Sequence, residues 1–186
     1  MKILPRHLIS PLLLMCSLIL FFVSTNVNRS FVFTSNGAID DVRLNKQSNH
    51  LSSAYPPTIL QWKSNIEKAA EIYHLDSNLI AAVMLQESGG HSDAYSSSGA
   101  VGLMQVMPHD GIAANFMCGN QPCFANRPSI SDLKDPDFNI QYGSQLLQSL
   151  IDRHQSLREA LKAYGPMDMD YRYADLVLSI YEENDE

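Results

Sequence analysis

The segment Glu87-Ser88-Gly89-Gly90, followed by Ser96-Ser97-Ser98-Gly99-Ala100-Val101-Gly102-Leu103-Met104-Gln105-Val106-Met107-Pro108, decides how this chain is read. It sets one carboxylate at the end of an apolar helix. A loop of small residues and a second apolar segment bearing an amide follow, able to fold back over that carboxylate. No Asp or Glu occurs from Ala94 to His109. Upstream, Asp76 is suited to bond the free amides of a first helical turn, and Ser77 to Ser88 contains neither Pro nor Gly. Ile80, Val83, Met84 and Glu87 fall at i, i+3, i+4 and i+7, which predicts that Glu87 shares a face with three large apolar residues. Gly89 and Gly90 then end the helix.

Two effects raise the pKa expected for Glu87. An apolar face removes solvation from the charged form, and the last turn of a helix disfavours negative charge. Both keep a proton on the acid near neutral pH, as a general acid requires. A lone, half-buried acid beside a groove is the minimum equipment for donating a proton to a glycosidic oxygen. Around it, Gln105 is an amide between Met104 and Val106 and needs a partner if buried. Met107 reads partly as core. Ser96 reads as a turn residue or as a contact to ligand. Tyr164 closes an apolar face with Ala160 and Leu161, and its hydroxyl wants a hydrogen bond. His91 and His109 flank the motif and read as solvated or structural.

From about Ile59 to Tyr181 the chain resembles the catalytic domain of soluble lytic transglycosylases, within the goose-type lysozyme-like superfamily. The pattern from Glu87 to Pro108 carries the resemblance. Asp135-Pro136 with Asn139-Ile140 and Gly143, then Ala160-Leu161 with Ala163-Tyr164, agree in order. The resemblance implies that Glu87 is the catalytic acid/base, that Ser96 helps hold acid and substrate, and that Gln105 and Met107 line the sugar groove. It implies that Tyr164 reaches toward Glu87. The chain departs from the family after that tyrosine: the usual Ala-Tyr-Asn-x-Gly is here Ala163-Tyr164-Gly165-Pro166. The implied reaction cleaves the bond between N-acetylmuramoyl and N-acetylglucosaminyl residues of peptidoglycan with one carboxylate, closing a 1,6-anhydro ring, without metal or cofactor. Most glycosidases use two carboxylates, and the segment from Ala94 to His109 offers no second one.

The 186 residues suffice for one domain once a leader is set aside, and 45% hydrophobic content supports a core. A net charge of -7 argues against nucleic acid as a partner. Lys2 and Arg6 precede the apolar run Leu8 to Val23, too short for a typical membrane span and ample for an export signal. A cleaved signal peptide and a retained signal anchor over 1–23 both remain open, and both export the domain toward periplasm, envelope or medium. Residues 24–54 read as a polar flexible spacer, with the domain at 55–183. In an exported protein Cys118 and Cys123, with Gly119 and Pro122 between them, read as a local disulfide; too few ligands lie nearby for zinc.

The fold class expected is mainly α: a single lysozyme-like multi-helix domain with a substrate groove, the arrangement coming from the resemblance. A first helix spans Ile59 to Tyr73, the Glu87 helix is second, and Val101 to Met107 reads as a short third. Residues 111–117 add a turn or two. Asp135-Pro136 opens a long helix, Ser156 and Glu159 form a capping pattern before the next, and Tyr173, Leu176, Val177 and Ile180 mark the last. Three functions compete: a lytic transglycosylase, a peptidoglycan hydrolase of muramidase type, and a non-catalytic glycan-binding envelope module. The absent second carboxylate weighs against the hydrolase, and intact Glu87, Ser96 and Gln105 weigh against the binding module.

Overall fold

The helix that carries Glu87 runs through the middle of the fold. In this computed structural model the described residues are 48–184. The expected leader, and the spacer as far as residue 47, lie outside them. Among the described residues there are seven α-helices, α1 Pro57–Leu60, α2 Lys63–Tyr73, α3 Ser77–Ser88, α4 Ile130–Leu133, α5 Pro136–His154, α6 Leu157–Tyr164 and α7 Tyr171–Asn184, and a 3-10 helix at Gly111–Asn115. Two short strands, β1 Met117–Cys118 and β2 Gln121–Pro122, pair antiparallel. The mainly α class expected from the sequence is the class observed.

Helix α3 starts where Asp76, in extended conformation, accepts a hydrogen bond from the Asn78 amide at 2.8 Å. It ends where Gly89 takes the left-handed conformation, φ 62°, which glycine adopts without a side-chain penalty. Its apolar spacing predicted one buried face. Instead every residue from Ser77 to Met84 is buried. The reason is that α2 and α7 both pack against it, with Ala81 and Ala82 thin enough to let them approach. Helices α5, α6 and α7 pack in succession, and α2 closes onto α5.

Four local expectations are corrected. The first helix is not continuous: it breaks at Gln61 and Trp62, and the Trp62 indole donates to the Gly90 carbonyl at 2.9 Å. Residues 48–54, the end of the stretch read as a spacer, are tied to the helices. Ser48 N donates to Asp76 Oδ2 at 3.0 Å, Ser77 N donates to the Ser48 carbonyl at 2.9 Å, and Leu51 is buried. Asp76 thus caps α3, holds Ser48 and accepts from the Tyr181 hydroxyl at 3.1 Å. On α7 the buried face is Tyr173, Ala174, Val177, Leu178 and Tyr181, with Leu176 exposed.

The fourth correction concerns the motif itself. Val101 to Met107 is not a helix but a tight turn, closed by Val101 N to Val106 O at 3.0 Å and Val106 N to Val101 O at 3.1 Å. Gly102 and Gln105 both have positive φ, 77° and 44°, which a helix forbids. Fully buried Asn139 holds the turn. Its Oδ1 accepts from Met104 N at 2.8 Å, and its Nδ2 donates to the Val101 and Leu133 carbonyls at 2.8 and 2.9 Å. A Cβ on Gly102 would lie 2.4 Å from Asn139 Nδ2, so the turn and the asparagine are fitted to each other. Two pieces went unforeseen: the β1–β2 hairpin, and α4 with its reciprocal Ser129–Asp132 cap.

Candidate active site

Glu87 occupies the last turn of α3, half-buried. Burial pushes its carboxyl up from 4.5 to about 7, opposed by a hydrogen bond from the Tyr173 hydroxyl to Oε1. The next residue secures the helix end: Ser88 Oγ donates to the Leu103 carbonyl at 2.8 Å and accepts from Gly90 N at 3.2 Å. The motif turn is thereby fastened to the residue adjoining the acid.

Ser96 and Gln105 stand in the segment between α3 and α4, and both are engaged with its backbone. Ser96 Oγ accepts from Ala100 N at 2.9 Å, while Ser96 N donates to the Ala100 carbonyl at 2.9 Å. The Ser96 hydroxyl keeps its proton for donation. Gln105 is a left-handed non-glycine residue, a conformation that stores roughly 1 kcal/mol or more. Its Nε2 donates to the Gly102 and Ala94 carbonyls at 2.9 and 3.3 Å. Its Oε1 takes no hydrogen bond from the described residues. Met107 follows, half-buried. None of Ser96, Gln105 or Met107 is hydrogen-bonded to Glu87.

Tyr164 lies near enough for the Glu87 charge to act on its hydroxyl, yet it makes no hydrogen bond to the acid. Its hydroxyl donates to the Met104 carbonyl at 2.9 Å, bracing the motif turn. The residue that bonds Glu87 is Tyr173 on α7, stacked on Tyr164 with ring centroids 6.5 Å apart. Burial, aided by the Glu87 charge, holds both phenols well above their ordinary pKa. Both remain protonated hydrogen-bond donors.

Residues 64–168 match the family model described as the Transglycosylase SLT domain, more than half of the chain. The chain belongs to the SLT domain family. It is 37% identical over 91 residues to an endo-type membrane-bound lytic murein transglycosylase A of Klebsiella pneumoniae, covering 49% of this chain and 43% of that one. It is 35% identical over 105 residues to a transglycosylase of Enterobacteria phage PRD1, covering 56% and 34%. To a membrane-bound lytic murein transglycosylase E of Buchnera aphidicola it is 33% identical over 101 residues, covering 54% and 44%. The match spans less than half the length of each of these relatives. A solved structure of an inactive mutant of the lytic transglycosylase Slt from Pseudomonas aeruginosa aligns with TM-score 0.48 and 25% identity, covering 63% of this chain and 23% of that one.

In this SLT chain Gly165 has a visible packing consequence. A Cβ there would fall 2.3 to 2.8 Å from three atoms of the Tyr173 ring. Gly165 therefore leaves the space in which that ring lies, one hydroxyl away from Glu87. Tyr173 was read from sequence only as part of an apolar helix face. The available signal was the need of a buried phenol for a partner, matched by the need of a buried carboxyl for a donor.

The hairpin forms a second feature. Cys118 and Cys123 are joined by a disulfide. A cavity of about 450 Å³ opens beside it, lined by Cys118, Gln121, Cys123, Asn126, Arg127 and Tyr142 among others. The Arg127 guanidinium lies over the rings of Phe124 and Tyr142, at 5.8 and 6.0 Å. His91 and His109 are exposed, and His109 Nδ1 contacts the Arg127 carbonyl at 2.7 Å.

Proposed function

We propose that this SLT chain is a peptidoglycan lytic transglycosylase, cleaving the β-1,4 bond between N-acetylmuramoyl and N-acetylglucosaminyl residues with Glu87 as its single acid/base. The observation that carries this reading is the state of Glu87: half-buried, with its pKa raised to about 7 by burial, and hydrogen-bonded by a phenol rather than paired with a cation. Such a carboxyl holds its proton at neutral pH and gives it up without a large penalty. The names borne by the relatives support the same substrate.

In the proposed reaction the Glu87 proton passes to the glycosidic oxygen, the C1–O bond breaks, and the N-acetylglucosaminyl side leaves with a free 4-hydroxyl. The acetamido oxygen of the muramoyl residue stabilises C1. Glu87, now a carboxylate, takes the proton of the C6 hydroxyl, and O6 bonds to C1. The acid is restored and no water is consumed. Tyr173 stabilises the charged form of Glu87 between the two proton transfers. The Ser96 hydroxyl and Gln105 Oε1 are the polar groups left for the sugar, with Met107 as apolar lining; fixing the reacting groups in place is where such contacts lower the barrier.

We further assign residues 1–23 to an export signal or anchor and the domain to the extracytoplasmic side of the membrane, in keeping with the membrane-bound names of two relatives. Mass spectrometry of the soluble fragments released from peptidoglycan tests the reaction. Fragments lighter by one water than reducing muropeptides are expected. Reducing ends would refute the anhydro route and point to hydrolysis. Absence of fragments with glycan still bound would refute catalysis.

A further inference from the structure

The cavity beside the disulfide hairpin lies outside the machinery assigned to Glu87, and its chemistry is specific. Arg127 is its cation. No carboxylate among the described residues lies within ion-pair distance of the guanidinium, whereas Lys63, Lys68, Arg158 and Lys162 each have an acidic partner. Lys134, Arg153 and Arg172 also lack one but are exposed to solvent, while Arg127 is half-buried in the cavity wall, where an unpaired cation needs a reason. Phe124 and Tyr142 meet the guanidinium through their rings. Stacking of this kind occupies the faces of the group and leaves its in-plane N–H donors free, in the fork that fits a carboxylate. Gln121 and Asn126 add side-chain amides to the lining, groups that complement peptide N–H and C=O. A single cation with amides suits a carboxylate on a peptide better than a polyphosphate. A neutral sugar gives the guanidinium no counter-charge. The volume falls within the range of ordinary ligand pockets.

The cavity also connects with the acid. Tyr142 on its wall adjoins Gly143, and a Cβ on Gly143 would lie 3.2 Å from the Tyr164 hydroxyl. Tyr164 stacks on Tyr173, which bonds Glu87. The Arg127 charge acts on the Tyr164 hydroxyl, lowering its pKa against the effect of burial.

We propose that this cavity is a subsite for a carboxylate borne by the muramoyl residues of the strand, with Arg127 pairing the carboxylate and Gln121 and Asn126 meeting the adjoining peptide bonds. This rests on peptidoglycan being the substrate. Two sources share the chemistry: the stem peptide, and the lactyl carboxylate that is exposed when the stem is removed. The stem is the favoured source, because it sets several peptide groups beside its carboxylates, whereas a stripped strand offers the amide side chains only isolated acetamido groups.

The test is binding, so that it does not depend on turnover. Full-length protein carrying Glu87→Gln, which leaves the polymer intact, is titrated onto peptide-bearing peptidoglycan and onto glycan strands stripped of stems by an amidase. The measurement is repeated with Arg127→Gln added and, separately, with Gln121→Glu, an exposed hairpin position whose change does not threaten folding. The expected result is a Kd on peptide-bearing polymer raised roughly tenfold or more by each change, with stripped strands bound as before. A loss confined to stripped strands supports the carboxylate subsite with the lactyl group as its occupant. No loss on either polymer, or the same loss on both, overturns the proposal. Wild-type protein that binds in this way and yet releases no fragments would refute the proposed cleavage while leaving the subsite standing.

Discussion

The Tyr173 hydroxyl donates to Oε1 of Glu87 across 86 positions of sequence, tying the last helix to the end of the central one. This bond stabilises the carboxylate, whereas burial stabilises the acid, and burial prevails. Replacing Tyr173 with phenylalanine removes that opposing contribution. The pKa of Glu87 should rise beyond about 7, and the alkaline limb of the pH–rate profile should move up with it. Tyr164→Phe should leave that limb in place and instead cost about 1 to 2 kcal/mol of stability, because the Met104 carbonyl loses its donor. A limb that follows Tyr164 and ignores Tyr173 would reverse these assignments.

The wild-type profile has a defined direction. The reaction needs protonated Glu87, so kcat/KM should fall tenfold per pH unit above about 7. Activity that stays level to pH 9, or begins to fall near pH 4.5, would be incompatible with Glu87 as the acid. Glu87→Gln should reduce cleavage by at least about a thousandfold, since positioned general acids contribute factors of about 100 to 10,000 and here the same group also serves as base.

The same substitution should stabilise the fold at alkaline pH. The folded-state pKa of about 7 lies above the reference value of 4.5, so the native state holds the proton more tightly than the unfolded one. Native stability is then unaffected below pH 4.5, declines as pH rises toward 7, and carries its full penalty above that. The penalty is at most about 3 kcal/mol. Denaturant titrations of wild type and Glu87→Gln should therefore agree at pH 4 and diverge by pH 8. Parallel curves would show that burial does not raise this pKa.

Restoring the customary family side chain at position 165 should harm this protein. Even the single carbon of Gly165→Ala lands within 2.3 Å of the Tyr173 ring, and overpacking of this kind costs about 1 to 3 kcal/mol. The ring must shift, and Glu87 then loses its donor. Gly165→Asn should likewise lower the melting temperature and displace the alkaline limb upward, as Tyr173→Phe does. A stabilised or more active Gly165→Asn protein would show that the glycine is a mere loss.

Asn139 offers a test of the motif turn. Truncation to alanine strips a donor from the Val101 and Leu133 carbonyls and an acceptor from Met104 N, all at a buried position. The expected cost is on the order of 3 kcal/mol. Loss of glycan affinity should accompany it, because Gln105 sits in the same turn. Unchanged affinity in a folded Asn139→Ala protein would separate the turn from ligand binding.

Helix ends were the most legible part of the sequence. Asp76, Asp135 and Ser156 each accept an amide of the helix they precede, because capping is local chemistry. Buried faces were harder to read. The spacing of Ile80, Val83 and Met84 implied one side, and only the approach of α2 and α7 made Ala81 and Ala82 interior as well. The motif turn misled for a related reason: Leu103, Met104 and Val106 carry helix-like apolar content, while the shape is imposed by Asn139 from a distant helix. In the candidate site Glu87 was legible from its helix and its isolation among apolar residues. Tyr173 was not, since nothing within its own helix distinguishes a phenol that reaches a carboxyl from one that merely fills space. The partner of Tyr164 is a backbone carbonyl, which no side-chain pattern announces.

Asp76 has a consequence for how the protein opens. One carboxylate receives the Ser48 amide near the start of the described chain, the Asn78 amide at the start of α3, and the Tyr181 hydroxyl near the other end. Segments so far apart in sequence ordinarily open independently. Here loosening of either segment strips a partner from the group that holds the other, at the opposite end of the 12-residue helix from Glu87. In amide hydrogen exchange, residues 48–52 and the last turns of α7 should gain and lose protection together, as one cooperative unit distinct from the motif turn.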